Sequence, residues 1–170
     1  DRLGIDDDPS ARLYLRLLHE AQAHWPASGA VARATVCEAV VMEAKRHGVS
    51  TSTLASATTK FMWFLRPDGW TVFDRLACQG MGIDPDKGTA AKRMLEFYAR
   101  LECAGFEALA AEMDDEIGRS LLAGLPAPRI LDTLFMARAG GGSDQLGVDR
   151  LAAFLALLPP LMRDALHALA

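Results

Sequence analysis

Apolar residues recur along this chain at intervals of three and four and rarely alternate, so the pattern predicts helices and no strand. Pro9-Ser10 opens a first helix with Leu13, Leu17, Leu18 and Ala21 on one face, and Trp25-Pro26 ends it. Proline disfavours the helical conformation in the residue before it. A second helix starts at Ser28-Gly29 with Val31, Thr35, Val36, Ala39, Val40 and Met42 inward. Its last turn carries Lys45-Arg46, which complement the helix dipole, and Gly48 closes it. Ser50 or Ser52 is expected to cap a third helix that turns Leu54, Phe61, Met62 and Leu65 inward.

Pro67-Asp68-Gly69 reads as a turn, proline presetting one dihedral and glycine taking the positive one. Thr71 is then expected to cap a short helix through Cys78, with Asp74 near its first turn and loop from Gly80 to Gly88. Longer helices follow over 89–103, with Met94, Leu95, Tyr98 and Leu101 inward, over 106–122 and over 129–139. Gly140 to Gly142 opens a joint over 140–144, and Pro159-Pro160 separates a final pair over 146–158 and 161–169. The expectation is an all-α fold: one multi-helix domain over 1–170 with eight or nine helices and a flexible acidic N-terminus over 1–8.

Composition agrees with one domain. At 170 residues, half of them apolar, the chain is long enough to bury a sizeable core. A net charge of −4 argues against general affinity for nucleic acid, because phosphate attraction comes from Lys and Arg. The charge is unevenly spread, however. Residues 102–116 hold six acids and no base, whereas 60–93 hold six bases and four acids, so one face is expected to be basic and another acidic. Cys37, Cys78 and Cys103 are odd in number, far apart and set among apolar neighbours, which reads as buried free thiols and a cytoplasmic location. No apolar run approaches the twenty residues of a membrane span, so no membrane association is expected.

The chemistry concentrates between Thr58 and Met81, where Lys60 precedes the Pro-Asp-Gly turn and Asp74 follows it in an otherwise apolar run. The pattern Ser56-x-x-x-Lys60-Phe-x-x-Phe-Leu-x-Pro67-x-x-Trp-x-Val-Phe-Asp74-Arg resembles the active-site segment of the 8-oxoguanine-glycosylase-like branch of the helix-hairpin-helix DNA glycosylases. Ala127-Pro-Arg-Ile-Leu-Asp-Thr-Leu-Phe-Met136 is similar to a later helix of that group. The resemblance covers 54–82 well and 97–139 loosely, and leaves the first 50 residues uncovered. It implies a helix-hairpin-helix-type fold and base-excision chemistry on DNA, with Lys60 as the nucleophile at the sugar C1′ and Asp74 as its electrostatic partner. The residue types suit those roles: a desolvated amine is nucleophilic, and an ionised carboxylate steadies an oxocarbenium-like centre. Trp63, Phe64, Trp70 and Phe73 are the candidate walls of a base pocket, and Arg66, Arg75, Lys92 and Arg93 the candidate phosphate contacts. The chain departs from the family before Lys60, where Ser, Thr and Ala over 49–59 replace a glycine-rich phosphate-binding hairpin.

Other chemistries find little footing. His19 and His24 stand five apart, off a helical pair, so no metal is expected. There is no phosphate-binding glycine loop and no nucleophile elbow, and no cofactor is expected. The leading reading is a DNA-interacting glycosylase/lyase-like protein, active or degenerate. The alternative is a non-enzymatic helical module that docks a protein partner through the acidic segment 102–116.

Overall fold

The computed structural model describes residues 8–117 and 126–139, with scattered positions between 152 and 164. Seven helices run through it: α1 (Pro9–Gln22), α2 (Ala30–Arg46), α3 (Ala55–Leu65), α4 (Arg75–Gly80), α5 (Ala90–Cys103), α6 (Phe106–Ile117) and α7 (Ala127–Arg138). The described residues form one all-α domain without a strand. Of the expected helices over 146–158 and 161–169 only scattered positions are described, residues 152, 153, 155, 156, 163 and 164, all helical. The joint over 140–144, residues 118–122 of the 106–122 helix and nearly all of the N-terminal stretch lie outside the described residues.

Helix α2 is central and packs against α1, α3 and α5. Its buried stripe is Ala30, Ala34, Cys37, Val41 and Ala44, joined by Val40 and Arg33, while Met42 is 57% exposed and Thr35 and Ala39 face solvent. Of the expected inward set Val40 is buried and Val36 packs against the core, whereas Thr35, Ala39 and Met42 turn outward. Small side chains, Ala30, Ala34, Cys37 and Ala44, line most of the seam together with Val40 and Val41. Helix α3 shows a similar correction. It buries Ala55, Thr58, Thr59, Met62 and Trp63, leaving Phe61 at 46% and Leu65 at 49% exposure. The two threonines are tolerated inside because their hydroxyls are satisfied, Thr58 by the Tyr14 hydroxyl at 2.7 Å and Thr59 by the backbone of Phe73. No serine caps α3. Ser50 and Ser52 bond each other, and the Leu54 position that precedes the helix has no side-chain cap bond.

Buried Arg33 ties three segments together. Its guanidinium donates to the carbonyls of Ala27 (2.7 Å) and Asp68 (3.0 Å) and pairs with Glu107 of α6 at 3.1 Å. Glu107 also accepts from the Gly29 amide, and Glu102 accepts from the Val31 amide, so both carboxylates serve the exposed donors at the start of α2. Asp114 does the same for Ala127 at the start of α7. Much of the acidic segment thus acts as internal staples.

Among the cysteines, Cys37 and Cys78 are buried and burial pushes each thiol up to about 12; Cys103 is exposed, against expectation, because it ends α5 beside a turn.

Helix α7 sits directly on α4, and the contact needs Gly80. A Cβ there would fall 2.2 Å from the Phe135 carbonyl oxygen, a backbone atom that cannot swing aside. Gly80→Ala is expected to destabilise the fold by about 1–3 kcal/mol through overpacking. Chemical denaturation measures this; a change under about 0.5 kcal/mol would contradict so tight a seat.

Candidate functional site

Residues 70–73 form a buried strap, neither helix nor strand, that leads into the extended backbone of Asp74. Trp70, Thr71, Val72 and Phe73 are all buried, so their backbone polar groups need partners. Side chains supply several of them. The Trp63 indole donates to the Trp70 carbonyl (3.2 Å) and the Tyr98 hydroxyl to the Thr71 carbonyl (2.7 Å). The Phe73 amide donates to the Thr59 hydroxyl (3.2 Å), and the Trp70 indole closes the turn on the Arg66 carbonyl. The strap is thereby strung between α3 and α5.

This return path sets the site. Leaving Lys60, the chain climbs α3 for about 9 Å at ~1.5 Å per residue, turns at Pro67-Asp68-Gly69, and comes back along the strap. Gly69 adopts φ 70° in that turn, as expected. Asp74 ends the strap and lies beside Lys60, with Lys60 Nζ 3.8 Å from Asp74 Oδ2. Asp74, not Thr71, caps α4: its Oδ1 accepts from the Ala77 amide at 2.8 Å, which leaves Oδ2 for the lysine. The Lys60 side chain is 47% exposed and that of Asp74 19%, so the amine is open to a ligand while the carboxylate is half enclosed.

Behind this pair stands Asp132 of α7, which sequence reasoning passed over although the segment 127–136 carried part of the resemblance. It is fully buried and forms an ion pair through Oδ2 with Arg129, one turn earlier on the same helix. Its Oδ1 has no hydrogen-bond partner among the described residues. Burial pushes the Asp132 carboxyl up to about 6; Arg129 and Lys60 pull it down, and Asp74 adds to the rise. Burial wins although the guanidinium touches the carboxylate, because the arginine is half exposed and its charge is shared with water. Since the native value lies above the unfolded 3.8, Asp132's contribution to stability is complete below about pH 4 and is lost as pH rises through about 6.

The other sequence-derived candidates divide. Trp63, Trp70 and Phe73 belong to the core, in contact with Phe64, with Trp25 and Tyr98, and with Phe97 respectively. Their burial leaves Phe64 as the member of the set at the surface, 75% exposed one turn after Lys60, with Phe61 and Leu65 beside it. Arg66 ends α3 and lines a shallow pocket with Gln22, Trp25, Arg33 and Asp68. Arg75 is paired with Asp86 at 3.1 Å, and Arg93 holds the carbonyls of Lys87 and Gly88. Lys92 is exposed in the first turn of α5. Two of the four cations, Arg75 and Arg93, are thus already engaged. Among the described residues no cluster of His, Cys, Asp or Glu could hold a metal ion, and no helix is long and apolar enough to cross a membrane.

Comparison of the chain with protein-family models, with curated proteins and with solved structures finds no match in any of the three.

The two oxygens of Asp74 have separable duties, and substitution can divide them. Asp74→Ala is expected to lose about 0.5–2 kcal/mol with the cap, whereas Asp74→Asn keeps an acceptor for Ala77 and stays within about 0.5 kcal/mol of the parent. Equal losses in urea titrations of the two variants would show that the charge, not the cap, stabilises this helix start.

Proposed function

We propose that the chain is a base-excision-type glycosylase or lyase that acts on the sugar C1′ of a DNA nucleotide through Lys60, with Asp74 as electrostatic partner. The observation that carries this reading is the approach of Lys60 and Asp74 to 3.8 Å from opposite ends of a buried return path. A half-exposed ion pair of this kind contributes only about 0–1 kcal/mol to stability, so the fold does not depend on it and its placement suits chemistry better than support.

At an abasic site the reaction is an amine addition. Lys60 loses its ammonium proton and attacks the C1′ aldehyde; the resulting hydroxyl leaves as water and a protonated imine remains on Nζ. The Asp74 carboxylate, one contact away, stabilises that cation and the oxocarbenium-like centre that precedes base departure from an intact nucleotide. Phe64, with Phe61 beside it, offers an exposed aromatic surface on which an extruded base can stack. Of the candidate phosphate contacts, Lys92 and Arg66 reach solvent without an ion-pair partner among the described residues, while Arg75 must exchange Asp86 for a phosphate.

A second reading, a non-enzymatic module that binds a protein partner, draws on the apolar ridge of Phe61, Phe64 and Leu65. It draws less on the acidic segment 102–116, where Glu102, Glu107 and Asp114 already accept backbone amides at the starts of α2 and α7.

Borohydride trapping on an abasic-site oligonucleotide tests the first reading. The parent protein is expected to give a covalent adduct and Lys60→Gln none, with stability changed by under about 0.5 kcal/mol. An undiminished adduct in the variant removes Lys60 from the mechanism, and no adduct from the parent favours the binding module. Affinity for the same oligonucleotide should also fall with salt, log K declining by about 0.9 per phosphate contacted for each unit of log salt. A salt-independent affinity would exclude Arg66, Arg75, Lys92 and Arg93 as phosphate contacts.

A further inference from the structure

We propose that Asp132 is a positioning residue of this site, the buried third charge that sets how strongly the Lys60–Asp74 pair stabilises positive charge formed at Nζ. The proposal rests on the lyase reading for its chemical purpose and on geometry for its existence. Asp132 lies on the face of α7 that packs against α4, and Asp74 is the residue that begins α4. The seat is fixed by the contact of Gly80 with Phe135. Asp132 is fully buried and cannot meet a substrate, so its influence must pass through its neighbours. Its charge faces Arg129 from its own helix, Asp74 from the start of α4, Lys60 from α3 and the buried Tyr98 phenol from α5. From α6, Asp114 is occupied with the Ala127 amide.

Three features point to a role beyond holding Arg129. A carboxylate kept solely for an ion pair has no need to be buried this completely, since desolvation offsets most of what such a pair gains. Its second oxygen, Oδ1, has no donor among the described residues, so the protonated form loses little that the ionised form enjoys. The charges of both Asp74 and Lys60 reach it, Asp74 raising and Lys60 lowering its affinity for a proton. Ionised, Asp132 adds a second anion behind Asp74 and deepens the stabilisation of an imine cation on Lys60. Protonated, it withdraws that contribution and leaves Asp74 alone.

Carbon-13 NMR of the full chain labelled at aspartate carboxyls tests this without a substrate, with Asp74→Asn and Asp132→Asn assigning the two resonances. The expected result is an Asp132 step near pH 6, mirrored in the Asp74 resonance and absent from it in Asp132→Asn. Should Asp132→Asn fail to fold, Arg129→Gln serves in its place: removing the cation should move the step to higher pH. Borohydride trapping across pH 5–8 on the abasic-site oligonucleotide adds the functional readout. The yield of the parent should rise through the same midpoint, and Asp132→Asn should lose that limb and fall several-fold at pH 7. A merely structural Asp132 would lower the yield by one factor at every pH, and that result overturns the proposal. So does an Asp74 resonance indifferent to the Asp132 step. If the parent forms no adduct, the lyase reading falls, and the NMR step alone decides whether Asp132 governs the charge of the pair.

Discussion

The constraint on which this structure depends is the need to satisfy a buried backbone that is neither helix nor strand. Residues 70–73 cross the core as a single strap, and a strap of that kind is unstable unless each enclosed amide and carbonyl finds a partner. Trp63 and Tyr98 provide partners for the Trp70 and Thr71 carbonyls, and the Thr59 hydroxyl serves both the amide and the carbonyl of Phe73, from α3 and α5. The same bonds fix where the strap ends. Asp74 is delivered beside Lys60 because Phe73, one residue earlier, is clamped to Thr59, one residue before Lys60. Core satisfaction and site assembly are one event in this region.

This explains why the aromatic side chains do not divide as their types suggest. Trp63 and Trp70 are bifunctional: each buries a large apolar body and spends its indole N–H on a strap or turn carbonyl. An aromatic with such a double role is committed to the core. Phe64 has no polar handle, falls on the outer face of α3, and is left at the surface one turn after Lys60. The cations follow the same logic, since Arg75 and Arg93 are partly engaged in holding the loop between α4 and α5.

The helical fold was legible because apolar spacing and the Pro and Gly stops determine helices locally. The order Lys60, turn, Asp74 was legible for the same reason, being contained within one short segment. What escaped was part of the inward set of α2 and α3. Periodicity favoured Met42, Phe61 and Leu65 as inward, but close packing selected Ala34, Cys37 and Ala44, and hydrogen bonding selected Thr58 and Thr59. Asp74 as the α4 cap was displaced in the reading by Thr71, a good capping type that the strap holds inside instead. Asp132 was also missed, because a carboxylate on an amphipathic helix reads as solvated until a neighbouring helix is seen to cover it. Long-range pairs such as Arg33 with Glu107 leave no local signal at all.

The central claim is that the strap presents Asp74 to a lysine capable of covalent chemistry. Mass-spectrometric mapping of the borohydride-reduced adduct tests it most directly, because the chain has three other lysines, Lys45, Lys87 and Lys92, that serve as internal controls. The account predicts that the sugar remnant is carried by the peptide containing Lys60 and by no other. A remnant spread over the other lysines, or confined to one of them, would contradict it.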